Sequence, residues 1–291
     1  MTDPADGGAA ADPADAVAAA VAVASVHGLR CADRVVLRDG SNVLVHLAPA
    51  PVVARVAALT GRVRPAVAAH LARDVALAGW LAGRGVPVVP PSGELPAGPH
   101  VLGGRVLTFW TYVRHDPGRV WRPAEFGPLL AELHAAMADY PGDLPTDSPL
   151  SDVPLAVNYL RSVGDTVLSD AALTADAERL SAELTGTPVP LHGDAHPGNL
   201  LATVDGPVWT DFEDTWRGPV EWDLACLAET GRLDGPAAVA AYPHDPAALG
   251  PFRAARRLHG LAWAAVFCHH FRTAQRRADL LARLASWRHT P

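Results

Sequence analysis

The sequence predicts an α+β chain built as two lobes, a β-rich one over residues 14–113 and a mostly helical one over 114–291. Three observations predict it. Runs of β-branched residues separated by turn residues fill the first third of the chain. One long amphipathic stretch interrupts them. Beyond residue 113 the apolar spacing turns helical almost throughout, broken by short apolar runs around polar turns near 190–210. At 291 residues, 49% hydrophobic and 19% charged, the chain is long enough to bury a sizeable core.

Residues 1–13, rich in Ala, Asp, Gly and Pro, are too polar and flexible to pack and read as a disordered lead-in. From Pro13 an Ala/Val-rich stretch predicts a short helix ending near Gly28. The runs at 35–37, 43–47 and 52–56 are separated by Asp39-Gly40-Ser41-Asn42 and by a Pro/Ala turn. They predict a three-stranded antiparallel meander. "RPAVAAHLARDVALAGWLAGRG" predicts a helix with Pro65 in its first turn and Gly83 and Gly85 near its end. Val67, Leu71, Val75, Leu77 and Leu81 form its apolar face. "VPVVPP" and "RVLTFWTYV" predict two further strands. In the second lobe, "PAEFGPLLAELHAAM", started by Pro123, and "DAALTADAERLSAEL" predict helices. A strand ending near Leu191, a polar loop over 192–199, and strands at 200–204 and 208–210 about an Asp205-Gly206 turn predict a small hairpin. From "VEWDLACLAETG" onward the pattern is helical.

Composition narrows the function. The net charge is −7 and no basic stripe exists to neutralise phosphates, which argues against a nucleic-acid partner. No apolar run approaches the roughly 20 residues that span a bilayer, so no membrane association is expected. Acidic residues and no Lys or Arg precede the first Ala/Val stretch, the wrong flank for a secretory signal, so the cytoplasm is the expected compartment. Cys31, Cys226 and Cys268 are too far apart to suggest a disulfide framework or a zinc site. The chain contains no lysine, no isoleucine and three asparagines (Asn42, Asn158 and Asn199), a bias that fits a GC-rich genome. Any role usually filled by lysine falls to arginine.

The chemistry concentrates in "LHGDAHPGNLL", residues 191–201, and the strand that follows. Across the predicted hairpin, Asp211 faces Asp194 and Asn199. Asn199 and Asp211 carry the hard oxygen ligands that Mg²⁺ prefers, and Mg²⁺ commonly takes one or two protein groups together with substrate phosphates. Asp194 is placed to accept or orient a hydroxyl proton. Phosphoryl transfer needs those parts.

His192-Gly193-Asp194 followed by Asn199, then Asp211-Phe212-Glu213, then Asp223-Leu224-Ala225, resembles the aminoglycoside phosphotransferase (choline-kinase-like) family, which has a bilobal protein-kinase-like fold. The resemblance covers roughly residues 20–290 and implies an enzyme, a phosphotransferase with an alcohol group as acceptor. It implies Asp194 as catalytic-loop base, Asn199 and Asp211 as metal ligands, Asp223 as a structural brace and His192 as a bracing residue. His196 reads as a loop cap. Arg55 falls where the family has a lysine on the nucleotide phosphates, and Asp74 where a glutamate pairs with it. Arginine is longer and aspartate shorter, so a salt bridge of similar total reach is expected. The alternative for Arg55 is a solvent-facing strand residue. The turn with Ser41 occupies the nucleotide-loop position, though an ordinary hairpin turn remains open. "FWTYV", with Trp110 and Tyr112, falls at the inter-lobe hinge, with core packing the alternative for both side chains. Glu213 and Asp214 are candidate acceptor-binding residues; Glu229 and Asp234 read as a solvated face, and Cys268 and His269 as helix packing.

The sequence therefore predicts a Mg²⁺-dependent small-molecule kinase, with ATP or GTP as donor and an aminoglycoside-like or other small hydroxylated acceptor. Aminoglycosides, and with them antibiotic resistance, rank first on the acidic balance and the acidic residues after Asp211. Two rivals stand beside it. A catalytically silent kinase fold, binding a nucleotide or partner, rests on the Arg55/Asp74 departures. A metal hydrolase would use His192, Asp194 and His196, with further ligands unnamed.

Overall fold

The computed structural model describes residues 13–168, 171–243 and 249–288, so all of the expected lead-in except Pro13 lies outside the described residues. The chain begins with helix α1 (Pro13–Val26), whose Ala16, Ala20, Val23 and Ala24 turn towards a sheet. Strands β1 (Asp33–Asp39), β2 (Asn42–Ala48) and β3 (Val52–Ala57) form the expected antiparallel meander. β1 is an exposed edge strand; β3 is buried along its whole length between neighbours on both sides. The short helix α2 (Leu59–Val63) leads to α3 (Val67–Gly83). α3 begins two residues after Pro65.

The next strand is not where its apolar character put it. "VPVVPP" makes isolated bridges only, Val88 to Trp209 and Pro91 to Trp110. Pro87, Pro90 and Pro91 lack the N–H a ladder requires. The expected strand in "RVLTFWTYV" is β5 (Arg105–Thr111), and its outer partner is β4 (His100–Leu102), completing a five-stranded antiparallel sheet in the order β1-β2-β3-β5-β4.

The remaining chain is mostly helical: α4 (Pro123–Met137), α5 (Asp152–Ser162), α6 (Ala171–Glu183), then, after the strands below, α7 (Glu221–Ala228), α8 (Gly235–Ala240), α9 (Gly250–His270) and α10 (Ala274–Arg288). Interposed are β6 (Val189–Leu191), β7 (Leu200–Thr203), β8 (Gly206–Trp209) and β9 (Trp216–Gly218). β7 and β8 form the expected hairpin. β6 pairs with β9 rather than with the hairpin, because Trp216 and Arg217 supply an antiparallel partner that three residues of sequence scarcely announce. The two ribbons straddle residues 192–199 and 210–215, and so aim both polar loops at one place.

One apolar cluster packs α1 against the sheet, and another fills the helical lobe around α5, α7 and α9. A third joins Val53, Leu77 and Leu81 to Leu130, Trp209, Phe212 and Leu224. Packing is thus continuous across residue 113, and the loops below it are held from both sides.

Candidate active site

Two backbone devices shape the loops. Gly193 has φ of +88°, and a Cβ there would overlap the Asp214 carbonyl, so only glycine permits the close approach of the two loops. Asp211 is the one described non-glycine residue with positive φ, at +73°. Such a backbone costs on the order of 1 kcal/mol or more and turns the carboxylate back over the hairpin.

Asp223, fully buried on α7, accepts from the backbone N–H groups of His192 (2.8 Å) and Gly193 (2.9 Å), with the His134 ring at 2.9 Å. Trp222 donates to the Gly193 carbonyl at 2.7 Å. His192 is fully buried; its Nε2 meets the Thr210 carbonyl at 3.1 Å and its Nδ1 accepts from the Asp194 N–H at 3.3 Å. Both ring nitrogens are therefore used, which leaves His192 no atom to offer a metal. His196 accepts the Gly198 N–H through Nδ1 at 2.9 Å, capping the turn before β7, while its Nε2 lies 3.3 Å from Asp194. Among the described residues no three His, Cys, Asp or Glu side chains form a metal-holding group. The His192/Asp194/His196 triple does not converge.

Asn199, buried, donates its amide to the Asp194 carbonyl (2.9 Å) and carboxylate (3.3 Å). The amide nitrogen is thereby committed to the loop, and its oxygen makes no hydrogen bond among the described residues. Asp211 gives one carboxylate oxygen to Arg55, which leaves the other. An amide oxygen and a carboxylate oxygen on facing loops fit a hard cation such as Mg²⁺.

Arg55 is 5% exposed and does not face solvent. It reaches Asp74 at 2.7 Å, Glu213 at 3.0 Å and Asp211. Asp74 also accepts the Phe212 N–H at 2.9 Å, so α3 holds the loop that carries Asp211. Glu213 receives the Asn42 amide at 3.2 Å, which ties it to the β1–β2 turn. Three carboxylates crowd one guanidinium. Burial, opposed by Arg55 and reinforced by Asp211 and Asp214, pushes the Glu213 carboxyl up to about 8. Asp214 contacts Arg64 at 2.6 Å. Both residues expected to grip an acceptor thus face arginines. Glu229 pairs with Arg253 at 2.5 Å, Asp234 caps α8 at 3.1 Å, and His269 meets Asp165 at 2.9 Å.

Arg256 on α9 carries no sequence motif, yet its Nη2 lies 2.5 Å from the Asp194 carboxylate. Burial pushes the Asp194 carboxyl up, but Arg256 and His196 outweigh it and hold it well below the usual carboxylate range. The only signal for Arg256 was its spacing to His259, Trp263 and Phe267 along one helix face.

Two cavities meet at these residues. The first, about 270 Å³, has Val53, Val89, Trp110 and Leu201 among its walls and is bounded by Tyr112 and Val113. Trp110 donates to Thr108 and is buried in the core; Tyr112 stacks on His46 with ring centres 3.9 Å apart. The Thr111 and Tyr112 N–H groups are bonded to the Pro90 and Pro51 carbonyls, and Val113 lines that cavity. The second, about 210 Å³, is lined by Asp194, Arg256, His259 and Trp263. Arg38, Ser41, Asn199 and Asp211 line both. Arg38, exposed at the end of β1, is a cation at this junction that no motif marks.

Residues 32–261 match the model of the phosphotransferase enzyme family. No curated protein matches the chain in sequence. Among solved structures it is similar to the GDP and kanamycin complex of APH(2")-IIia (TM-score 0.64, 16% identity, covering 93% of this chain and 98% of that one). It is also similar to a microcompartment-associated aminopropanol kinase (0.63, 20% identity, 92% and 94%). A third is an amicoumacin kinase in complex with AMP-PNP, Ca²⁺ and Ami (0.61, 13% identity, 94% and 94%). Likeness at these identities establishes the bilobal kinase-like fold.

Proposed function

The chain belongs to the phosphotransferase enzyme family, and on that footing we propose that it is a Mg²⁺-dependent small-molecule kinase of the cytoplasm, moving the γ-phosphoryl group of ATP to a hydroxyl of a small acceptor. One observation carries the reading: Asn199 and Asp211 stand at the junction of the two cavities, and Asp194 opens onto the second. A nucleotide in the first cavity, its base against Trp110 and Leu201 and its phosphates towards Ser41, Arg38 and Arg55, would present its γ-phosphorus to a hydroxyl in the second. The nucleotide complexes of similar structures support a donor of this class, and the Ca²⁺ of one supports a divalent cation. Mg²⁺, held by Asn199 and Asp211, would neutralise phosphate charge.

Asp194 orients the acceptor hydroxyl. The acceptor oxygen bonds to the γ-phosphorus, the bond from that phosphorus to the β,γ-bridging oxygen breaks, and the nucleoside diphosphate leaves. The hydroxyl proton passes to the Asp194 carboxylate. Because Arg256 keeps that carboxylate weakly basic, its main contribution is positioning, with proton transfer late. The Arg55–Asp74 contact supports an active enzyme over a silent fold, since the arginine–aspartate pair spans the distance required of it.

Asp194→Asn is expected to lower turnover about 10²–10⁴-fold while Mg²⁺-nucleotide binding persists. Unchanged phosphorylation in that variant, followed by mass spectrometry with ATP and then GTP, sinks the assignment. Asn199→Ala is expected to raise the Mg²⁺ concentration for half-maximal rate; an unaltered titration removes Asn199 from the metal site. Aminoglycosides belong in the acceptor panel, although the two carboxylates that suggested them face arginines.

A further inference from the structure

The rim of the second cavity is an alternating chain of charge. Asp194 meets Arg256 at 2.5 Å, and Arg256 Nη1 lies 3.2 Å from His259 Nδ1. Arginine has no acceptor, so His259 Nδ1 accepts and its Nε2 carries the hydrogen towards Asp152, 3.3 Å away. Asp152 takes the Arg64 Nε on both oxygens at 3.1 Å, and Arg64 reaches Asp214 at 2.6 Å. Glu213 and Asp211 are held by Arg55. Every carboxylate lining this cavity therefore already has a guanidinium within ion-pair distance. A cationic acceptor would find no unpaired anion and would have to displace a buried arginine, which leaves a charge uncompensated.

Donors, in contrast, remain. Arg64 is 2% exposed and its Nη1 makes no hydrogen bond among the described residues; a Glu213 carboxylate oxygen lies 3.9 Å from it. Arg256 spends one Nη on Asp194 and the other on His259, and a planar guanidinium has five N–H groups arranged to fit a carboxylate. Trp263 and Phe267 on the same face of α9 supply an apolar wall.

Resting on the kinase reading above, we propose that the acceptor is a small hydroxy acid whose carboxylate docks between Arg256 and Arg64 while its hydroxyl reaches Asp194. The close Arg256–Asp194 contact sets the geometry: anion site and hydroxyl site are adjacent, so the hydroxyl lies within a few carbons of the carboxylate. This names an acceptor class opposite in charge to aminoglycosides.

The test uses the full chain with Mg²⁺-ATP and reads ADP release and phosphorylated product. Glycerate, serine, threonine and 4-hydroxybutyrate are compared with their methyl esters, with ethanolamine and with kanamycin. At least one carboxylate should be phosphorylated, with its ester down at least about 10²-fold in kcat/KM because the donors built for the carboxylate are left unpaired. Arg256→Gln should raise KM for the acid by a larger factor than it lowers kcat, whereas a merely structural role would lower both or neither. Acceptor binding in the presence of AMP-PNP, measured by calorimetry, gives a second readout independent of turnover. Phosphorylation of kanamycin or ethanolamine in preference to every acid overturns the proposal. So does Asp194-dependent ATP hydrolysis that no carboxylate stimulates, and that result leaves the kinase reading standing. Absence of any Asp194-dependent hydrolysis overturns the kinase reading itself, and this proposal with it.

Discussion

Gly193, Asp211 and Asp223 show how few positions set the geometry of the two polar loops. Gly193 allows the loop carrying Asp194 to touch the Asp214 carbonyl, Asp211 adopts a left-handed backbone to face it, and Asp223 satisfies two buried N–H groups beneath. Gly193→Ala combines a left-handed alanine, costing about 1–2 kcal/mol, with overpacking of about 1–3 kcal/mol. A loss of about 2–5 kcal/mol in urea unfolding is expected on the same grounds, together with loss of turnover. A loss below about 1 kcal/mol, smaller than either contribution, would mean that the loop relaxes without strain. The sequence pattern already named Gly193, Asp194, Asn199, Asp211 and Asp223, because each belongs to a short motif with a chemical reason. Arg256 and Arg38 belong to no motif. Their importance comes from where α9 and β1 end up.

Helix α9 is the element on which most depends. One face carries Arg256, His259 and Trp263 to the second cavity, while its last turn packs on α5. There the His270 Nε2 lies 2.5 Å from the Tyr159 hydroxyl. Burial, with Arg62, His269 and Arg272 nearby, pushes the His270 imidazole down to about 4. The unfolded chain, at about 6.5, binds this proton first. The contribution of His270 is therefore complete above pH 6.5, declines as the pH falls towards 4, and is absent below. For a half-buried group the loss is at most about 1–2 kcal/mol after solvent screening. Urea midpoints at pH 7 and 4.5 should separate more in the wild type than in His270→Gln; equal separations would remove His270 from the acid sensitivity of the fold.

Over the whole molecule, the sheet and the helical lobe are joined by ions as well as by apolar packing. Arg55 and Asn42 from the sheet meet Asp211 and Glu213, and Arg64 meets Asp152. The proposed nucleotide cavity draws walls from both lobes, Leu44 and Val53 from one and Leu201 from the other. A Mg²⁺-nucleotide bound there would stabilise the fold as a whole. At 100 times its dissociation constant it should add about 2.7 kcal/mol, read as an upward shift of the thermal midpoint. EDTA should abolish most of that shift. A shift that persists undiminished without the divalent ion would argue against Asn199 and Asp211 as metal ligands.

The sequence by itself determined the α+β class, the meander, most of the helices and the Asp/Asn/Asp set, because local periodicity and short motifs are encoded within a few residues of each other. It misread "VPVVPP", where apolar content concealed three prolines without the N–H a strand needs, and it did not reveal β9, too short to show a period. Beyond the expected Arg55–Asp74 pair, tertiary structure decided which charges face one another. Glu213 and Asp214 read as acceptor-binding acids along the chain, yet folding brings Arg55 and Arg64 to them across about 160 and 150 positions of sequence separation. Arg256 comes to Asp194 in the same way. Coulomb attraction depends on distance in space, to which the order of residues along the chain is nearly blind. The residues proposed as catalytic were therefore nameable in advance, and the charges that surround them were not.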